Sequence, residues 1–208
     1  DETLPQAVYD NITGIIGEGV AATLLPNGNW VGSLDNLEGT KGYWFVASSA
    51  FDFTYIPPTI SARLLAEEMP EVPEEFAYAQ STKQAFYFID SIEGADEGDW
   101  VIAYNGNQIV GARMWNGEII DVPAMGNDGQ LETVGYCDSG TAVTFKLFSP
   151  LTGEIQDLHG ESIPWNDLSI SFVENLTLES NVVVEGFGLE SVYPNPFNPS
   201  TTISFYAE

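Results

Sequence analysis

The stretch WVIAYNGNQIVGARMWNGEIIDV, Trp100–Val122, decides how this chain folds. It holds three apolar runs, Trp100–Tyr104, Gln108–Trp115 and Glu118–Val122, punctuated by Asn105-Gly106 and Asn116-Gly117. Asn-Gly accepts positive φ at both central positions of a tight turn, so Asn105-Gly106 signals a type I′ turn. The stretch therefore predicts a three-stranded antiparallel meander.

Working outward, Gln84–Asp90 alternates Phe86 and Phe88 with Ala85, Tyr87 and Ile89, a strand with two apolar faces. Further strands are expected at Val134–Tyr136, Ala142–Phe148, Ile155–Leu158, Ser169–Val173 and Val182–Val184. Short strands separated by Gly, Asn, Asp and Pro turns make residues 80–187 a β-sandwich module with a jelly-roll or immunoglobulin-like look. Upstream, residues 1–58 read as a small β-rich module. Gly14, Gly17 and Gly19 argue against a helix there. Pro26-Asn27-Gly28-Asn29 is a turn, and Trp30–Leu34, Tyr43–Val46 and Phe51–Ile56 read as strands. Leu4–Tyr9 could form one helical turn. The module looks incomplete on its N-terminal side. Residues 59–79 mix glutamates with Pro70 and Pro73 and read as an acidic, Pro-rich linker, with a short helix possible at Ser61–Glu68. The expected fold is all-β: antiparallel sandwich modules, two β-rich units, and a tail strand within residues 188–208.

Composition narrows the partners. The 208 residues carry 31 acidic and 5 basic side chains, a net charge of −26. Lys41, Arg63, Lys83, Arg113 and Lys146 are too few and too scattered to hold phosphates, so nucleic acid is excluded as a partner. Apolar residues make up 44%, enough for a core. No run of about 18 apolar residues exists, so no membrane-spanning helix is expected. Cys137 is the sole cysteine, so no internal disulfide can form.

No catalytic residue is expected. His159 is the single histidine, there is no G-x-S-x-G elbow, and Cys137 has no basic neighbour in sequence. Two acidic turns supply hard oxygen ligands of the kind Ca²⁺ takes: Asp96, Glu97 and Asp99 in one, Asn127 and Asp128 in the other. Neither follows the EF-hand spacing. Of the five tryptophans, Trp100 opens an apolar strand and is the expected core anchor. Trp115, beside a turn, and Trp165, after Pro164, could project at a rim and stack on sugars. Gly42-Tyr43-Trp44 reads as core packing beside a tight turn.

The segment SVYPNPFNPSTTISF, Ser191–Phe205, carries Tyr193, Pro194, Asn195 and Pro196, then Phe197, Asn198 and Pro199, then an alternating strand over Thr201–Phe205. The prolines make a stiff extended lead-in with few backbone donors. This segment resembles the start of the C-terminal sorting domain of cargo exported through the type IX secretion system. The family continues through several more strands, so residues 188–208 are read as a truncated tail. The resemblance implies an address, the outer surface or medium of a bacterium, and contact with secretion machinery; it implies no reaction. Glu97–Gly106 with Val110–Arg113 also resembles modules of large secreted proteins bearing such tails. An unpaired terminal strand, presenting Thr201, Ile203 and Phe205, is a template for pairing with another chain. The expectation is a secreted structural or adhesive protein, a filament subunit assembling by strand addition. The alternative is a carbohydrate-binding accessory module of a secreted hydrolase. Partners follow from each: further copies of the chain, or surface glycans.

Overall fold

The computed structural model describes Val8, residues 10–38 and 40–52, Thr54, residues 69–178, and the backbone of two further strands, Phe187–Tyr193 and Thr202–Ala207. The helical readings at Leu4–Tyr9 (Val8 apart) and Ser61–Glu68, the strand at Val182–Val184, most of Phe51–Ile56, and Pro194, Asn195, Pro196 and Thr201 lie outside the described residues.

Strands β1 (Ile12–Ile16), β2 (Ala21–Leu24), β3 (Trp30–Gly32) and β4 (Trp44–Ala47) form an antiparallel sheet in the order β3-β2-β1-β4. Glycines joined to β-branched residues extend here, as the sequence suggested. The turn at Pro26–Asn29 is present, closed by the Leu25 N–H on the Asn29 carbonyl; Gly28 takes positive φ and Asn27 does not.

β5 (Gln84–Glu93) is the axis of the molecule. β6 (Trp100–Asn105) and β7 (Gln108–Met114) follow as a hairpin, then β8 (Ile120–Met125), β9 (Thr144–Ser149), β10 (Glu154–Leu158) and β11 (Ile170–Thr177). They form two sheets, a central one in the order β11-β5-β8 and an outer one in the order β10-β9-β6-β7. β12 (Phe187–Tyr193) and β13 (Thr202–Ala207) make a separate antiparallel hairpin.

The layers follow from the alternation in β5. Ala85, Tyr87 and Ile89 pack with Val122 and Ala124 against Val101, Ala103, Phe145 and Leu147 of the outer sheet. Phe86 and Phe88 point the other way, onto Ile16 and Ala21 of the first sheet. Over Ala85–Ile89, β5 is therefore buried on both faces, which is why that part reads as an unbroken apolar run. The outer sheet's far face is covered too. Trp100, Ile102 and Ala112 pack there with Phe76, Val72 and Tyr78. The segment expected as a charged linker thus contributes packing over 72–78, because a 3₁₀ turn at Glu74–Phe76 swings one aromatic inward while both glutamates stay in water.

Four local expectations are corrected. β8 does not complete a meander with β7; it crosses to the central sheet and pairs with β5. Every residue of β8 is buried, so it belongs where both faces are covered. Pro123 has no N–H to offer a second neighbour. Gly111 lets β7 and β8 cross closely, since a Cβ there would collide with the Pro123 carbonyl. Next, the β6–β7 loop is Gly106-Asn107, with positive φ at Gly106 alone, the II′ pattern in place of I′. Third, β11 pairs with β5 in parallel. Fourth, Val134–Tyr136 is a turn after a 3₁₀ segment at Leu131–Thr133, not a strand.

Candidate functional site

Two features stand out once the layers are placed: a buried polar junction that fixes the first sheet, and an apolar overhang at one side of it.

The junction centres on Asp121. Its carboxylate accepts the Ala21 N–H at 3.1 Å, the Ser33 N–H at 2.8 Å and the Ser33 hydroxyl at 2.6 Å. The Arg113 guanidinium donates to it at 3.2 Å and reaches on to the Gly19 carbonyl at 2.9 Å. Gln84 completes the seam, donating to the Gly17 carbonyl at 2.7 Å and accepting the Gly19 N–H at 3.2 Å. Burial pushes the Asp121 carboxyl above the usual range, against the pull of Arg113, Ser33 and Ala21. Among the described residues no buried side-chain polar atom is left unpaired. The junction is a structural clamp: it orients sheets, and its carboxylate is 2% exposed.

The overhang follows from unequal sheet widths. β3 lies by β8, since Ser33 meets Asp121, and β1 lies by β11, since a Cβ on Gly14 would meet Ile170 and Val46. Among the described residues the first sheet has four strands and the central sheet three, so β4 extends past β11. Trp44 and Val46 stand opposite Ile16 and Gly14 on the inward face of their sheet. They remain 42% and 36% exposed; among the described residues no strand of the central sheet lies beneath them. Phe172 of β11 is 45% exposed and leans on Phe88 at 5.7 Å between ring centroids. Trp44 and Val46 on β4 and Phe172 on β11 are thus exposed apolar side chains, while Ile170 is packed beneath β1. Trp44 was expected in the core; Tyr43 does pack inward, with its hydroxyl accepting the Glu38 N–H at 2.8 Å.

The other candidates fall elsewhere. Trp115 and Trp165 are corrected: they are 5% and 2% exposed and offer no face to a sugar. Trp165 lies against Gly126, whose missing side chain makes room, and donates its indole N–H to the Ala124 carbonyl at 2.9 Å. Trp115 closes the core beneath the β7–β8 loop. Trp100 is buried as an anchor of the outer face.

The acidic turns serve their own backbones. Asp99 is buried and accepts the Asp96 N–H at 3.0 Å, while Asp96 and Glu97 face solvent. Asp128 accepts from the Thr133 hydroxyl at 2.7 Å, the Thr82 N–H and hydroxyl at 3.1 and 3.2 Å, and the Gln130 N–H at 3.1 Å. These donors hold its carboxyl well below the usual range. The Asn127 side chain accepts the Gly129 N–H at 3.0 Å. Among the described residues no three Asp, Glu, His or Cys side chains gather as a metal would require.

Cys137 is buried, and burial pushes its thiol up to about 11. His159 is exposed and bridges by its backbone to Thr177. Ile203 and Phe205 sit on β13, which has a partner in this chain: β12 pairs along it from Phe187↔Ala207 to Tyr193↔Thr202. The terminal strand is therefore one side of a hairpin, with Tyr193 at the far end of the other.

A feature the sequence did not single out is a groove of about 530 Å³ lined by Trp30, Val31, Gly32, Asp90, Asn116 and Glu118 among others. It joins a half-buried indole to two exposed carboxylates and an amide. The signal was spread over three elements far apart in sequence, and only the packing of β3 near β8 unites it. No protein-family model, no curated protein and no solved structure matches this chain.

Proposed function

We propose that this chain is a structural or adhesive protein of the bacterial exterior, exported through its C-terminal tail, that associates with further copies of itself through its β-strand edges. The observation that carries the reading is the exposure of Trp44 and Val46 on the edge strand β4 and of Phe172 on the edge strand β11. Single apolar side chains at a surface are ordinary, but large ones exposed on two edge strands, β4 and β11, suit a strand-edge contact. The acidic surface supports an exterior role by favouring solubility and repelling nucleic acid and anionic membrane. The test is mass in solution. Light scattering and negative-stain images of the full chain at increasing concentration should show multimers or filaments. A discrete monomer throughout would reject self-association.

A second reading, carbohydrate binding, is favoured by the Trp30 groove. An indole face with carboxylate and amide acceptors suits a neutral sugar, whose C–H face stacks and whose hydroxyls donate. A glycan array probed with the chain and with Trp30→Ala should show signals that the variant loses. Silence across neutral glycans rejects it.

A further inference from the structure

Among the described residues the central sheet is one strand narrower than the sheet above it, and we infer that the open position, beside β11 and under the overhang of β4, is filled by β13 of a second copy of this chain. The inference rests on the self-association reading and names its acceptor and its donor.

The acceptor is defined by β11 and β4. Over Ile170–Val173, β11 has β5 on one side and, among the described residues, no strand on the other. A strand laid there would gain backbone hydrogen bonds and cover Phe172 laterally and Trp44 and Val46 from below. The residues it turns toward Trp44, Val46 and Phe172 must be uncharged, because these side chains offer no polar partner and a charge buried without one is costly.

The donor is selected by charge and length. Edge strands six residues long or longer are β7, β8, β11, β12 and β13. β7 carries Arg113, β8 Asp121, β11 Glu174 and β12 Glu190; β13, Thr202–Ala207, carries no charge. In a chain of net −26, residues 191–207 contain no ionisable acid or base other than tyrosine. This segment can approach a like-charged body with the least repulsion. Its sequence alternates Ile203 and Phe205 with Thr202, Ser204 and Tyr206, the pattern of a strand with one apolar face. β13 is paired on one side by β12, and a two-stranded hairpin alone is marginal in water. Adding β11 as its second neighbour stabilises both partners. Donor and acceptor are different surfaces, so each subunit accepts one neighbour and donates to another. Such a head-to-tail contact extends without closing unless its rotation happens to form a ring.

The test uses full-length chains with one half of the contact disabled. Phe172→Glu spoils the acceptor and leaves the donor; Phe205→Glu spoils the donor and leaves the acceptor. Each alone should be monomeric by light scattering, with an unchanged far-ultraviolet spectrum. Mixed in equal amounts, they should form dimers and stop there, since one intact donor meets one intact acceptor. Val46→Glu replaces Phe172→Glu should that variant fail to fold. Multimers of the unmodified chain that persist in Phe172→Glu or Val46→Glu, or a mixture that stays monomeric, overturn this pairing while leaving self-association in place. An unmodified chain that is monomeric at every concentration overturns both.

Discussion

Asp121 shows how much one side chain decides. It interrupts the apolar run Ile119-Ile120-Asp121-Val122, and it sits buried where β8 passes the first sheet. Replacing it with Ala takes the carboxylate from the Arg113 guanidinium, which keeps carbonyl acceptors at Gly19 and Asp121, and leaves the Ser33 and Ala21 N–H groups without their acceptor. Loss of one partner of a buried pair costs about 3–5 kcal/mol. Urea unfolding of Asp121→Ala should show a loss of that size, and the double variant Arg113→Met with Asp121→Leu should lose less than the single. Equal or greater loss in the double variant would mean the pair is not coupled. Asp128 acts in the opposite electrostatic sense and at the surface. Its carboxyl is held below the unfolded value near 3.9, so its contribution is full above about pH 4. The contribution is lost as pH falls through the depressed folded value. The melting gap between the chain and Asp128→Asn should therefore be constant from neutral pH to about 5 and close at lower pH. A gap that widens on acidification would contradict the assignment.

At the scale of strands, the crossing of β7 and β8 is the feature with least tolerance. Gly111 lies where a Cβ would meet the Pro123 carbonyl, whereas Gly42 has open space around it. Gly111→Ala should destabilise by about 1–3 kcal/mol or abolish folding, as overpacking does. Gly42→Ala should stay within about 0.5 kcal/mol, as surface changes do. Comparable thermal midpoints for the two would show that the strands can part. This crossing also marks where the sequence stopped being legible. The alternation in Gln84–Asp90 revealed a strand with two apolar faces, and the structure gives it two covered faces. Trp100–Tyr104 and Gln108–Trp115 were readable as a hairpin because turn chemistry is local. β8 was misassigned because choosing between β7 and β5 as its neighbour depends on Pro123, Gly111 and burial on both faces. The burial of Trp115 and Trp165 was illegible for the same reason: the cavity each fills is built by other strands. The exposure of Trp44 and Phe172 was hidden too, since both look like core residues until sheet widths are compared.

For the molecule as a whole, charge and edge geometry act in opposite directions on assembly. Each copy carries −26, so two copies approaching through water repel at long range. The proposed contact itself is uncharged and apolar, and salt does not weaken it. Raising ionic strength from ~0.01 M to ~1 M shortens the screening length from about 30 Å to about 3 Å. Repulsion then fades before the strands touch, while burial of Trp44, Val46 and Phe172 is retained. Light scattering should therefore show assembly that starts sooner and proceeds faster as sodium chloride is added. Contacts made instead between basic and acidic side chains of neighbouring copies would have the reverse dependence, weakening with salt. With Lys41 and Lys146 already paired to Glu18 and Asp157, and Arg113 to Asp121, few cations remain to make such contacts. Assembly that is fastest at the lowest salt would thus locate the interface somewhere other than the edge of β11.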